Sequence, residues 1–402
     1  MVFSVVSSAR LCLMCKGGRN LCGHSPCPLI PRFDVEKRLQ GRIGRDFFGP
    51  SYSVFVGRYG YPRVNTGPMV AVEEKQGLDS PNAWLKMDYN DIVELRSLLL
   101  RSKQREYVHS KTRFVRESQE LVLASRPTDV EMNFKKDPVY RVSFSDVVQP
   151  MGPSALLERM SVTENVHVPR KVDKIISDDL KAGQAGFELY SSGQDVYKIS
   201  AILSSGALGL EKNRKMVPTR WGITASDDII TKELMKKVRD HPSINDYLVF
   251  ESQHLDNHFV VLMMPGSWEF ENFESWAPGS MWSHNLKKTE IIEEHEPFGG
   301  RTKYADKQGG GYYASRIACV EKLHEMRRQA RVVVFREVYE GYVIPLGVWV
   351  VRQTARTAYE RPPKRFATKE GALKYVDSRT RIPVSDYRKQ SRVLGRKTLL
   401  DF

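Results

Sequence analysis

Four of the five cysteines in this 402-residue chain fall within sixteen residues, spaced Cys12-Leu-Met-Cys15 and Cys22-Gly-His24-Ser-Pro-Cys27. A Cys-x2-Cys pair can hold one side of a metal ion, and a second thiol pair a short loop away completes a tetrahedral thiolate shell. The chemistry indicated is structural Zn2+ on Cys12, Cys15, Cys22 and Cys27. Lys16-Gly-Gly-Arg-Asn20 between the pairs supplies the tight turns such a knuckle needs. His24 could replace a thiol, but four cysteines already fill the shell, which places it nearby. The alternative is two disulfides in a secreted module. The first eleven residues lack a basic start, and Arg10 interrupts their short apolar run, so they make a poor signal peptide. A closed four-thiolate shell leaves no open position for water or substrate, so catalysis must be sought elsewhere.

The densest polar segment is Asn213–Asp228. In it Arg214, Lys215 and Arg220 could hold phosphates, Trp221 could stack on a base, and Asp227 and Asp228 could hold Mg2+ or Mn2+. The competing reading is a basic loop whose aspartate pair caps the following helix. His254, Asp256 and His258 stand two apart, on one face of an extended segment, and are read as a polar hairpin turn in preference to a metal face. Glu269 and Glu271, set among aromatics from Trp268 to Trp276, could bind a metal for phosphodiester chemistry or simply mark an exposed acidic edge strand. Gly309-Gly-Gly311 opens a helix carrying Arg316 and Glu321. A phosphate could rest there with Arg316, although the Walker lysine and the dinucleotide spacing are both missing. Cys319 lies on an apolar helical face and reads as core.

These residues need elements to hold them. Apolar spacing gives a helix over 90–104, capped by Asn90 or Asp91, and another over Arg113–Ser125 ending before Pro127. Further helices are expected at Ser154–Met160, Asp173–Ser191 and Ala314–Gln329, and a helical start signal at Ser226-Asp-Asp228. Short strands are expected at Val54–Val56, Tyr247–Glu251 and His258–Met264, and a strand hairpin over Ala330–Glu337 and Gly341–Arg352. The fold class is α+β: a mixed sheet body with helices over 31–388, with a possible subdomain boundary near 205–245. A zinc-binding module (1–30) precedes it, and a flexible basic tail (389–402) follows.

Net charge of +14 favours a polyanionic partner. No run approaches the roughly 18 apolar residues of a membrane span, so no membrane partner is expected. The expected location is cytoplasmic and nucleoid-associated. The last residues, Arg396-Lys-Thr-Leu399-Leu-Asp-Phe402, put Leu399 and Phe402 three apart, on one side of a single helical turn. That suits a plug for a hydrophobic pocket on another protein; a tail folded onto its own domain is the alternative.

Taken together, five segments resemble the archaeal Nre family of DNA repair proteins. They are Cys12–Leu29, Phe55–Pro62 with Gly67-Pro68-Met69, Val217–Thr224, Gly310–Arg316 and Pro345–Arg352. The resemblance runs from residue 12 to the C-terminus. It implies repair of damaged DNA and a C-terminal motif for the sliding clamp (PCNA-type), with Leu399 and Phe402 filling the clamp's pocket. Arg396 stands where glutamine is usual, and there is one terminal aromatic instead of two, so modest clamp affinity is expected, raised by simultaneous DNA contact. Two functions compete. One is a clamp-recruited, metal-dependent nuclease using Asp227, Asp228, Glu269, Glu271 and Glu321, with Arg214, Lys215, Arg220 and Arg316 on phosphates. The other is a non-catalytic adaptor that links DNA to the clamp. An RNA-processing enzyme is a more distant third.

Overall fold

The structure is a computed structural model and describes residues 27, 30–39, 41, 43–139, 151–278, 289–342 and 345–395. Cys12, Cys15, Cys22 and His24 lie outside the described residues, as do Arg396, Leu399 and Phe402. Of the cysteine cluster only Cys27 is described: it is buried, and its carbonyl accepts from Ile30 N at 3.0 Å, at the start of helix α1 (Ile30–Leu39). The fold is mixed α and β. It divides into two compact units, the described residues up to Ile230 forming one and those from Thr231 onward the other.

The first unit is built on a closed five-stranded barrel: β1 (Asp46–Val56), β2 (Arg63–Ala71), β3 (Leu99–Tyr107), β4 (Thr128–Phe134) and β5 (Ser154–Val162), in the order β1-β2-β3-β5-β4. Closure depends on β1, which is long enough to serve two partners. Its first half pairs with β4 (Asp46↔Asn133 to Ser51↔Thr128) and its second with β2 (Ser51↔Val70 to Val56↔Thr66), with an irregularity between Ser51 and Ser53 where it bends. β3 and β5 run parallel. Valines 54, 56, 64, 70 and 130, with Leu100, Met132, Phe134 and Leu157, fill the interior. Helix α2 (Tyr89–Ser97) is held by a capping box between Asp88 and Asp91, so the cap precedes both residues expected for it. Helix α3 (Arg113–Leu123), capped by Thr112, lies between β3 and β4 in the chain. Helices α4 (Arg170–Ser177), α5 (Ala182–Ser191), α6 (Val196–Ser205) and α7 (Thr219–Val238) follow; the division between the units falls inside α7.

Two expectations fail here for one reason. Ser154–Met160 is a strand, not a helix, and the helix expected over 90–104 stops at Ser97, where β3 takes over. Leu-rich runs fit either period. Barrel closure needs an inward residue every second position, and Ala155 and Leu157, like Leu100 and Ser102, are inward.

The second unit is a six-stranded sheet of β6 (Tyr247–His254), β7 (Asn257–Met264), β8 (Glu269–Trp276), β9 (Glu290–Glu296), β10 (Arg331–Val338) and β11 (Lys364–Phe366), ordered β11-β6-β7-β10-β8-β9. β10 runs antiparallel to β7 and parallel to β8, with Val334 facing Val261 and Asn272. Helices α8 (Gly310–Met326), α9 (Val348–Thr357), α10 (Lys369–Arg379) and α11 (Val384–Gln390) complete it. The strand expected at Gly341–Arg352 is instead helix α9. Its Val-Trp-Val-Val run favours a strand in isolation, but burial of Trp349, Val350 and Ala355 against α8 and β6 overrides that preference. The packed chain also runs past the expected tail boundary at 389: Val393 and Leu394 are buried in the same core as Phe273, Phe335 and Tyr387.

Candidate nucleic-acid interface

Helix α7 starts at Thr219, whose Oγ1 accepts from Val56 N at 2.9 Å. This bond ties the helix to the end of β1, where the six-residue β1–β2 connection Gly57-Arg-Tyr-Gly-Tyr-Pro62 begins. Trp221, next to the tie, therefore meets Tyr61 with ring centroids 5.2 Å apart and planes tilted by 56°. Both rings face solvent, 47% and 40% exposed, and Tyr59 is 72% exposed. Arg58 lies over one face of Tyr59, 5.0 Å from the centroid, and donates to its hydroxyl at 3.2 Å. Gly60 makes the turn: its φ is +80°, and a Cβ there would lie 2.5 Å from Arg105 Nη2 and 2.9 Å from Arg63 O.

The two strands leaving this loop extend the surface. Register pairs Arg63 with Tyr107 and Asn65 with Arg105. Along β3, Arg101, Lys103, Arg105 and Tyr107 alternate with the buried Leu100, Ser102 and Glu106. Lys103 Nζ donates to Ser154 Oγ at 2.8 Å, and Arg101 lies over Phe55. Glu106 is turned inward and accepts from Gln104 at 2.8 Å. No carboxylate occurs in the sequence between Gly57 and Val72. Among the described residues, Arg58, Arg63, Arg105, Lys215 and Arg220 are in no ion pair. Cations without counter-charges beside exposed rings are suited to an anionic, aromatic ligand.

The structure separates the residues expected to act on phosphates. Lys215, Arg220 and Trp221 are exposed on the first unit. Arg214 is not available: its guanidinium donates to Gly209 O at 2.8 Å and Ile176 O at 2.5 Å, clamping a loop. Arg316 is buried and paired with Glu296 at 2.5 Å, under Tyr312, which donates to the same carboxylate. The Gly309–Gly311 turn serves packing, since a Cβ on Gly311 would come 3.1 Å from Glu274 Oε2, a carboxylate that already faces this helix end.

The five carboxylates expected to share a metal divide between the two units, Asp227 and Asp228 in the first and Glu269, Glu271 and Glu321 in the second. Asp227 and Asp228 lie well inside α7, where Asp227 is fully buried; they are not at its start, so neither caps it. Glu269 accepts from His295 at 2.8 Å. Glu271 accepts from Arg392 N at 2.6 Å and from Ser391 Oγ, and burial holds its carboxyl above the usual range. Glu321 takes both guanidinium arms of Arg356, at 2.8 and 2.6 Å. Strand β8, which carries Glu269 and Glu271, is an interior strand, not an exposed acidic edge, lying between β10 and β9. Among the described residues, no group of three or more His, Cys, Asp or Glu could hold a metal ion. The hairpin at His254–His258 is present, with Leu255 and Asp256 at positive φ. His258 is buried between Glu251 and Tyr339, both at 2.9 Å, and His254 is half-buried. Cys319 is core, as expected, its thiol pushed up to about 12 by burial.

Two family models cover the chain, "Archaeal Nre, N-terminal" over residues 21–283 and "Archaeal Nre, C-terminal" over 296–402. The chain belongs to the archaeal Nre family. Among its relatives are the DNA repair protein NreB of Archaeoglobus fulgidus, 37% identical across 97% of this chain and 99% of its own, and the DNA repair protein NreA of the same organism, 38% identical across 90% and 92%. The DNA repair protein NreA of Haloferax volcanii is 35% identical across 85% of each chain. No solved structure matches. In this Nre chain the N-terminal family segment takes in the whole barrel unit and also β6, β7 and β8, so the family boundary and the structural one differ.

Of the residues on this candidate face, Lys215, Arg220 and Trp221 stand out in the sequence as candidates for phosphate or base contact; Arg58, Tyr59, Tyr61, Arg63, Arg105 and Tyr107 do not. A signal was present: an acid-free stretch alternating aromatics and arginines after a strand, followed later by Arg101-x-Lys103-x-Arg105-x-Tyr107 at period two.

Proposed function

We propose that this chain is a DNA repair protein that meets DNA through the basic, aromatic face formed by the β1–β2 loop, β2–β3 and the start of α7. The observation that carries this is the unpaired set Arg58, Arg63, Arg105 and Arg220 around the exposed Trp221 and Tyr61. The names of the relatives, all DNA repair proteins, agree with it. Cys12, Cys15, Cys22 and Cys27 supply the donor set of a closed zinc shell that folds the N-terminus. Arg396, Leu399 and Phe402 form the clamp contact.

Fluorescence anisotropy with labelled DNA over a range of salt tests the DNA face. Arg63→Glu with Arg105→Glu should weaken binding at least tenfold and flatten the salt dependence, because each lost phosphate contact removes roughly 0.7–0.9 from the log–log slope. Unchanged affinity in a folded variant would sink the assignment. For the tail, removing Leu399–Phe402 should abolish clamp pull-down while leaving DNA affinity within about twofold; loss of both would show that the segment is part of the fold. The adaptor reading is preferred to the nuclease because the candidate carboxylates are engaged one by one with other partners. Cleavage of labelled DNA with Mn2+, lost in Asp227→Ala, would reverse that preference.

A further inference from the structure

Four of the ten large exposed hydrophobic side chains in the described residues, Tyr59, Tyr61, Tyr107 and Trp221, belong to this one face. Scattered exposed apolar residues need no explanation, but four rings gathered among cations do. We infer that the face takes single-stranded DNA, with Tyr59, Tyr61 and Trp221 as the platform on which unpaired bases stack. The inference rests on the DNA-binding reading above and narrows it to a substrate class and a set of rings.

Three observations carry it. The first is the barrel itself. Its order β1-β2-β3-β5-β4, closed by β4 on β1, with a helix (α3) between β3 and β4, is the topology of the oligonucleotide/oligosaccharide-binding barrel. That fold binds its ligands on the β2–β3 face and the β1–β2 loop. Topology alone would be analogy. Here the rings and cations occupy that loop and those two strands.

The second observation is the presentation of the rings. Arg58 lies over one side of Tyr59, which orients the ring, and the side chain remains 72% exposed. The tilt of 56° keeps Tyr61 and Trp221 from closing on each other as a parallel stack. A duplex keeps its base faces stacked inside and offers such rings little. A single strand offers a π-face at every nucleotide.

The third observation is the path of charge. Arg63, Arg105, Lys103 and Arg101 follow the β2–β3 ribbon away from the loop, with no outward carboxylate on either strand. From Arg101 to Tyr107 the strand spans about 20 Å at roughly 3.4 Å per residue. That length fits a footprint at the short end of the roughly 4–16 nucleotides bound by one such barrel.

The test uses the full chain with three labelled probes: dT20, a duplex of the same length, and rU20. At moderate salt dT20 should bind at least tenfold more tightly than the duplex. Tyr61→Ala with Trp221→Ala should lose at least tenfold for dT20 and less than twofold for duplex. Trp221 fluorescence should be quenched by dT20. Because Tyr59 is the most exposed ring, Tyr59→Ala provides a variant whose thermal melting should not change and whose dT20 affinity should still fall. If the ring variants bind dT20 normally while Arg63→Glu/Arg105→Glu loses all DNA, the DNA face stands and the single-strand inference falls. If neither set matters, both fall. Equal binding of dT20 and duplex, or tighter binding of rU20 than of dT20, also overturns the inference.

Discussion

Lys198, on α6, is buried enough that its ammonium sits at about 8, well below its ordinary 10.5; Asp195 pulls the other way but does not compensate. It donates to the carbonyl of Ala124, at the end of α3. Between pH 8 and 10.5 the unfolded chain still holds a proton that the folded chain has released, so folding becomes more favourable as pH rises through that window. Relative to Lys198→Met, the wild-type protein should therefore gain stability from pH 8 to 10.5, on the order of 1–3 kcal/mol after solvent screening. Urea unfolding of both proteins across the window checks this, and parallel curves would refute it. At this scale the sequence was informative wherever a side chain acts alone. Trp221 and Arg220 were legible as exposed side chains because they lie in a segment rich in polar and basic residues. Arg214 and Arg316 were not, because their partners, Ile176 O and Glu296, are brought to them only by the fold.

Elements were legible where local and tertiary preferences agree. Helix α3 begins with a threonine cap and ends ahead of Pro127, and both signals are local. The β6–β7 hairpin follows from two apolar runs, Tyr247–Phe250 and Phe259–Met264, on either side of a turn at Leu255-Asp256. β5 and α9 were read with the wrong period because closure of a barrel, or packing on α8, decides between helix and strand after the local preferences are spent. β8 shows the same conflict in polar form. Glu269, Glu271 and Glu274 look like an exposed edge in sequence, yet each is buried beside a partner: His295, the Ser391–Arg392 turn and Arg336 respectively.

At the scale of the whole molecule, the face proposed for DNA belongs wholly to the first unit, and the contact proposed for the clamp to the end of the chain. The two binding activities should therefore separate by mutation, as the charge-reversal and tail-deletion experiments require. The sheet of the second unit has a different consequence, for synthesis. β7 and β8 are neighbours in sequence, but the slot between them in the sheet belongs to β10, made only after β9 and α8. Until Arg331–Val338 has left the ribosome, a growing chain carries two strands, buried in the finished fold, whose inner edges have no hydrogen-bonding partner, and such edges recruit strands from other chains. Fragments ending before Arg331 should collect in the insoluble fraction on expression, and fragments reaching Leu394 should not; soluble, monomeric material from the shorter series would contradict this. The order in which this protein is translated thus makes it dependent, for a stretch of its synthesis, on whatever shields nascent chains in the cell.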